Sequence, residues 1–101
     1  MIKKLTLLFF IVSFLPGLVQ ATDCISGLKV YVDGDYVKAA NMFRSVAQKG
    51  DACAQFQLGM MYFYGHGVVK NAKKSEEWIQ KSAENGFEKA KLRLSWLKIN
   101  S

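Results

Sequence analysis

Laid against itself with a shift of 36 residues, the sequence repeats. Phe43 falls on Ile79, Ala47 on Ala83, Gly50 on Gly86, Ala54 on Ala90 and Leu58 on Leu94. A shift of 31 aligns an earlier part, where Tyr31-x-x-Gly34 falls on Tyr62-x-x-Gly65. The two shifts differ because the second copy carries a longer loop. Self-similarity at this period marks a chain built from small supersecondary units. One such unit cannot cover its own apolar face, so the units must stack. A chain of 101 residues has room for one small domain of this kind.

Each unit reads as helices punctuated by glycine. A first helix is expected over residues 23–32, with Asp23 as its N-cap. Gly27 should weaken it slightly. Gly34 and Asp35 form a turn, and Asp35 caps the second helix. That helix carries Tyr36, Ala39, Ala40, Phe43, Val46 and Ala47 at the spacing of one buried face. Gly50 stops it and Asp51 caps a third helix over about 52–64. The third helix is apolar nearly all round. Ala54, Leu58, Met61 and Tyr62 mark one face, and Phe56, Met60 and Phe63 mark another. A helix apolar on two sides is covered on two sides, which makes this one the expected centre of the stack. Asn71 caps a fourth helix running to about residue 84, with Ser75, Trp78, Ile79, Ser82 and Ala83 inward. Asn85-Gly86 end it, and a last helix follows over about 87–99.

The most specific stretch is 57–90. It holds Leu58-Gly59, Tyr62, Gly65-x-Gly67-Val68, Trp78, Ala83, Gly86 and Ala90 in one register. This set resembles the Sel-1-like repeat, a relative of the tetratricopeptide repeat. The resemblance implies an all-α fold, a short right-handed α-solenoid of about five antiparallel helices. It divides the chain into a truncated repeat over 22–50, a complete repeat over 51–86 and a terminal helix over 87–99. It implies binding to other proteins, with no chemistry and no cofactor. The sequence departs from the family pattern at Asn71, where Asp is usual, and at Ser75 and Ser82, where Ala is usual. A helical serine can bond the carbonyl of the preceding turn, so both should be tolerated.

The first 21 residues have a different character. Lys3 and Lys4 precede an apolar run over 5–15, broken only by Thr6 and Ser13. Pro16-Gly17 should end any helix there, and Val19-Gln20-Ala21 offers small residues at a cleavage site. This is the pattern of a secretory signal peptide cut after Ala21. The run is too short for the ~30 Å of a bilayer core, which takes about 20 apolar residues, so no stable membrane insertion is expected. Removal of 1–21 takes the formal charge from +6 to +4. The expected location is the periplasm or the extracellular space. Export argues against a nucleic-acid partner for the basic surface, leaving a solvated lysine-rich helix face as the plain reading and acidic proteins, envelope polymers or lipid head groups as the anionic partners it could meet. Two cysteines, Cys24 and Cys53, remain. An even count in an exported chain points to a disulfide, the alternative being two buried thiols that never meet. With His66 alone as a further soft ligand, the spacing fits no zinc site, so no metal is expected.

No catalytic constellation emerges. Gly65-x-Gly67 lacks the third glycine of a dinucleotide fingerprint and the lysine of a P-loop. His66 stands in a turn with no Asp or Glu nearby in sequence to orient it. Glu76 and Glu77 are adjacent and diverge on a helix. Tyr62, Phe63, Tyr64 and Trp78 resemble a ligand cage, but their helical spacing assigns them to the core.

The expected function is an exported, non-catalytic protein-binding module, an adaptor or scaffold. The runner-up is an inhibitor or immunity-type protein that docks on an enzyme and blocks it. The repeat register proposes where binding occurs. Shifted by 36, the outer face of the third helix, Phe56, Met60 and Phe63, becomes Leu92, Trp96 and Ile99 on the last helix. The helix after the third should cover that face, whereas the last helix should leave it open to a partner or a second copy. Lys91, Arg93 and Lys98 flank it, and a tryptophan ringed by basic residues has the composition of an interface hot spot; the alternative is that Trp96 folds back onto the fourth helix near Trp78. Intact mass of the protein recovered after export checks the processing step: the chain should begin at Thr22, and one that retains Met1 refutes the signal peptide.

Overall fold

The computed structural model describes residues 16–100, as five helices: α1 (Pro16–Val32), α2 (Tyr36–Gln48), α3 (Ala52–Tyr64), α4 (Ala72–Glu84) and α5 (Glu88–Asn100). Most of the expected signal peptide lies outside these residues. The four helices from α2 onward fall within about a residue of their expected bounds. Short connections make consecutive helices neighbours, and α1 also reaches α3. The fold is all-α and solenoid-like.

Three side chains start helices as the sequence indicates. The Asp35 carboxylate accepts from the Lys38 backbone N–H at 3.3 Å, Asp51 from that of Ala54 at 3.4 Å, and the Asn71 side chain from that of Lys74 at 3.0 Å. The first helix differs. It begins at Pro16, so Pro16-Gly17 open a helix instead of breaking one, and Asp23 lies inside it without capping it. Proline suits the first helical position, where its missing N–H has no partner to lose.

The core forms where α1, α2 and α3 meet. Cys24, Phe43, Leu58 and Met61 are almost fully buried there, with Ala39, Ala40, Ala47 and Ala54 keeping the backbones close. Two glycines fit the helices together. A Cβ at Gly27 would stand 2.5 Å from the Phe43 ring, so the residue that weakens α1 in isolation makes room for α2. A Cβ at Gly59 would stand 2.7 Å from Ile79 Cγ1 and 3.1 Å from the Ser75 carbonyl oxygen. Gly59 thus sets the close approach of α3 and α4.

Polar ties reinforce this packing. The Ser82 hydroxyl donates to the Ala52 carbonyl on α3 at 2.6 Å, not to the preceding turn of its own helix as expected. Asn85 donates to the Gln55 side chain at 2.9 Å, and Gln55 donates to the Ala47 carbonyl at 3.1 Å. The end of α2, the start of α3 and the end of α4 are joined through these amides. Each bond contributes about 1 kcal/mol net, and more is lost when a buried partner is stranded.

The α3–α4 loop closes the stack. Gly65 caps α3 in the left-handed conformation (φ 75°), its N–H bonded to the Met61 carbonyl. At Gly67 φ is 71°, and a Cβ there would run into the Tyr36 carbonyl at the first turn of α2. Gly34 shares the positive φ, but a Cβ there would meet nothing within 4 Å. The pair therefore separates conformational strain from close packing. Gly34→Ala should cost about 1 kcal/mol through backbone strain alone. Gly67→Ala should cost at least ~2 kcal/mol, lowering the melting temperature by roughly 10 °C. Equal losses on thermal denaturation would show that the loop is not seated on α2.

Candidate functional site

The face singled out on the last helix is open. Leu92, Trp96 and Ile99 are 69%, 54% and 83% exposed. Their i, i+4, i+7 spacing lines them up on one side of α5. The opposite side holds the helix down: Ala90 is fully buried, and Leu94 and Leu97 are half-buried. Leu94 and Leu97 also line a recess of about 220 Å³ with Glu76, Gln80 and Lys98, where α5 meets α4.

Arg93 links this face to the body of the protein. Its guanidinium carbon stands 4.6 Å from the centre of the Phe63 ring and 5.2 Å from that of Trp96. Its Nε is buried and makes no hydrogen bond. Phe87, just before α5, packs its ring on Phe56 with centroids 5.3 Å apart. Phe87 and Arg93 thus cover part of the outer face of α3. Phe56, Met60 and Phe63 are half-buried as a result. Lys91 bonds to Glu88 at 3.5 Å across one helical turn. Both are exposed, which makes the pair worth little in stability.

A second group was not legible in the sequence. His66 is half-buried, with its Nδ1 2.7 Å from the Tyr31 hydroxyl. Its ring stacks on Tyr36 with centroids 4.5 Å apart, and on Tyr64 at 5.3 Å. The turn histidine expected to lack an orienting partner is held by three tyrosines from three separate places in the chain. Burial raises the Tyr31 pKa, and the neighbouring Tyr36 and Tyr64 add to the rise. The Tyr31 hydroxyl and His66 Nδ1 share one hydrogen bond. The group fastens the glycine loop to the α1–α2 corner. Of the four aromatics assigned to the core, Tyr62 is buried, Phe63 and Trp78 are half-buried, and Tyr64 is exposed, stacked on His66 instead. Val68 packs against the core as expected.

The remaining feature is covalent. Cys24 and Cys53 form a disulfide between α1 and α3, with Cα atoms 6.2 Å apart. A bridge spanning 29 residues stabilises a fold by roughly 3–4 kcal/mol in the chain-entropy model. Asp51 lies two residues from Cys53 and is buried.

The repeat architecture is now explicit, and family comparison agrees with it. The Sel1 repeat model matches residues 26–51 and 54–87. The chain belongs to the Sel1 repeat family. Among similar proteins, an F-box protein of Arabidopsis thaliana is 33% identical over 86 residues, covering 82% of this chain and 24% of its own. A sel1-like repeat-containing protein, L18, of Acanthamoeba polyphaga mimivirus is 47% identical over 38 residues, covering 38% of this chain and 6% of its own. HcpC of Helicobacter pylori, which carries a beta-lactamase name, is 38% identical over 48 residues, covering 48% of this chain and 17% of its own. This chain spans a quarter or less of the length of each relative. No solved structure matches it. Sel1 repeats are protein–protein interaction modules, and the signature residues from Leu58 to Ala90 act here as structure. Gly59 seats α4, Gly65 and Gly67 shape the loop, and Leu58, Tyr62 and Ala90 fill the core.

Asp51 generates a pH prediction for this Sel1 domain. Burial raises its carboxyl pKa, with Asp23 adding to the rise and the backbone N–H groups of Ala54 and Cys53 opposing it. A raised folded pKa means that the native state holds the proton more tightly than the unfolded chain. The contribution to stability is therefore full below the unfolded value of about 3.9, and is lost as pH rises through the folded value. Asp51→Asn keeps a capping side chain without the charge. The variant should gain in melting temperature relative to the parent as pH rises from about 4, then hold a constant difference. Parallel curves across the whole range would show that Asp51 titrates alike in both states.

Proposed function

We propose that this Sel1 protein is an exported, non-catalytic docking module that binds another protein through the outer face of α5. Exposure of Trp96 between Leu92 and Ile99 carries the reading. Large apolar side chains usually find a core, and three in a row on one helix face form the kind of patch that marks an interaction surface. Arg93 beside Trp96 supplies the residue pair most enriched at binding hot spots. The rest of the domain is a rigid mount, built from close helix contacts and a disulfide.

Export is supported by three observations. The disulfide suits an oxidising compartment. No helix among the described residues is long and apolar enough to cross a membrane. The basic and apolar segments at the start of the chain have the pattern of a signal peptide. Cleavage after Ala21 would fall within α1 and leave Asp23 in its first turn, where a carboxylate favours the helix dipole. The bond from Cys24 to Cys53 would then hold the new helix end to α3.

Trp96→Ala tests the docking face, with stability and binding followed separately. Melting temperature should stay within a few degrees of the parent, as for an exposed substitution. Capture of the partner, followed by photo-cross-linking from position 99, should weaken by about 2 kcal/mol, some 30-fold in affinity. A large fall in melting temperature with unchanged binding per folded molecule would assign Trp96 to the core. Adding the protein to its captured partner at equimolar ratio separates the roles, since an adaptor leaves the partner active and an inhibitor abolishes its activity.

A further inference from the structure

Resting on that docking reading, we infer that the partner segment seated on α5 is an acidic amphipathic helix, with Arg93 as the site that receives its carboxylates.

The first observation concerns shape. The fold already shows what covers this face when it occurs on α3. Phe56 is met by Phe87, just before α5, and Phe63 by Arg93 on α5. The same face on α5 keeps the same i, i+4, i+7 spacing, which a second helix meets ridge into groove. Gly59, where α4 approaches α3, is replaced on α5 by Ser95, whose hydroxyl is bonded to the Lys91 carbonyl at 3.0 Å. A helix meeting Ser95 would stand farther off than α4 stands from α3 at Gly59.

The second observation concerns charge. Lys89, Lys91 and Arg93 lie on α5, whose one carboxylate, Glu88, bonds to Lys91. Lys89, Arg93 and Trp96 follow the i, i+4, i+7 row beside the apolar strip. Arg93 is held flat by the two rings, and its buried Nε has no acceptor. A guanidinium restrained on an aromatic face is preorganised for a planar carboxylate. Two copies of α5 facing each other would oppose like charges, so a second copy fits less well than an acidic chain. Cationic and apolar residues also alternate around α5 with no separate polar face, unlike a helix that lies in a lipid surface.

The test uses the full disulfide-bonded protein and a displayed library of 18-residue helices with a fixed leucine face, in which flanking positions vary among Glu, Gln, Lys and Ser. Selection should enrich Glu beside the leucines. A selected peptide should bind Arg93→Gln about 10-fold more weakly, and Lys89→Glu more weakly still. Lys89 is exposed, so the second variant keeps the fold if the first disturbs it. Enrichment of neutral or basic flanks, or binding unaffected by both variants, overturns the acidic assignment while leaving protein docking intact. Selection no better on the parent than on Trp96→Ala overturns the docking face as well. Sedimentation and phosphatidylglycerol vesicles complete the set. Trp96-dependent dimers would make a second copy the occupant, and Trp96-dependent vesicle binding would make it a lipid surface. Either result refutes the acidic helix.

Discussion

The close approach of α3 to α4 at Gly59 governs the rest of the domain. A methyl group there would stand 2.7 Å from Ile79, so any side chain would wedge the helices apart. Overpacking of this kind typically costs 1–3 kcal/mol, a large share of what so small a domain possesses. With the two backbones close, the Ser82 hydroxyl reaches the Ala52 carbonyl and Asn85 reaches Gln55. These bonds fix where α4 ends, and hence where α5 begins. The orientation of the exposed strip on α5 thus descends from one hydrogen atom in place of a methyl on α3.

The contrast between α3 and α5 explains how a repeat becomes a surface. Leu58 and Met61 are sealed in the core, whereas their repeat equivalents Leu94 and Leu97 are half-buried. The outer faces differ in the same direction, half-buried on α3 and open on α5. What differs is the neighbourhood. α3 lies between α2 and α4 with α1 and Arg93 at its sides, whereas α5 packs mainly on α4. An apolar side chain takes its role from what is laid over it, and the same spacing therefore yields a half-buried face in one helix and an exposed one in another. Gly59 and Ser95 add a local distinction: α3 has no side chain where α4 meets it, and α5 has one at the equivalent position.

The disulfide secures α1. Cys24 is among the most buried residues, and its bond to Cys53 ties α1 to the central helix. The aromatic group around His66 holds the far end of α1, through Tyr31, to the α3–α4 loop. Two unrelated devices, one covalent and one aromatic, restrain the same helix at points about two turns apart.

Local chemistry settled much of this in advance. The helix starts at Asp35, Asp51 and Asn71, the glycine stops, and the buried stripe of α2 follow from backbone hydrogen-bonding and 3.6-residue periodicity, which act over a few residues and are written in order along the chain. The 36-residue register marked Leu92, Trp96 and Ile99 as equivalents of an outer face. Tertiary structure decided what depends on residues far apart in sequence. His66 gained its partners because the loop folds onto an α1–α2 corner some 30 residues earlier. Ser82 found a carbonyl on another helix closer to hand than its own preceding turn. Pro16 opened α1 because a missing N–H is harmless in a first turn, a matter of position that composition does not convey. Gly27 and Gly59 read as weak points in isolated helices, and became the closest contacts because helix packing rewards the absence of a side chain only when another helix is there to fill the space.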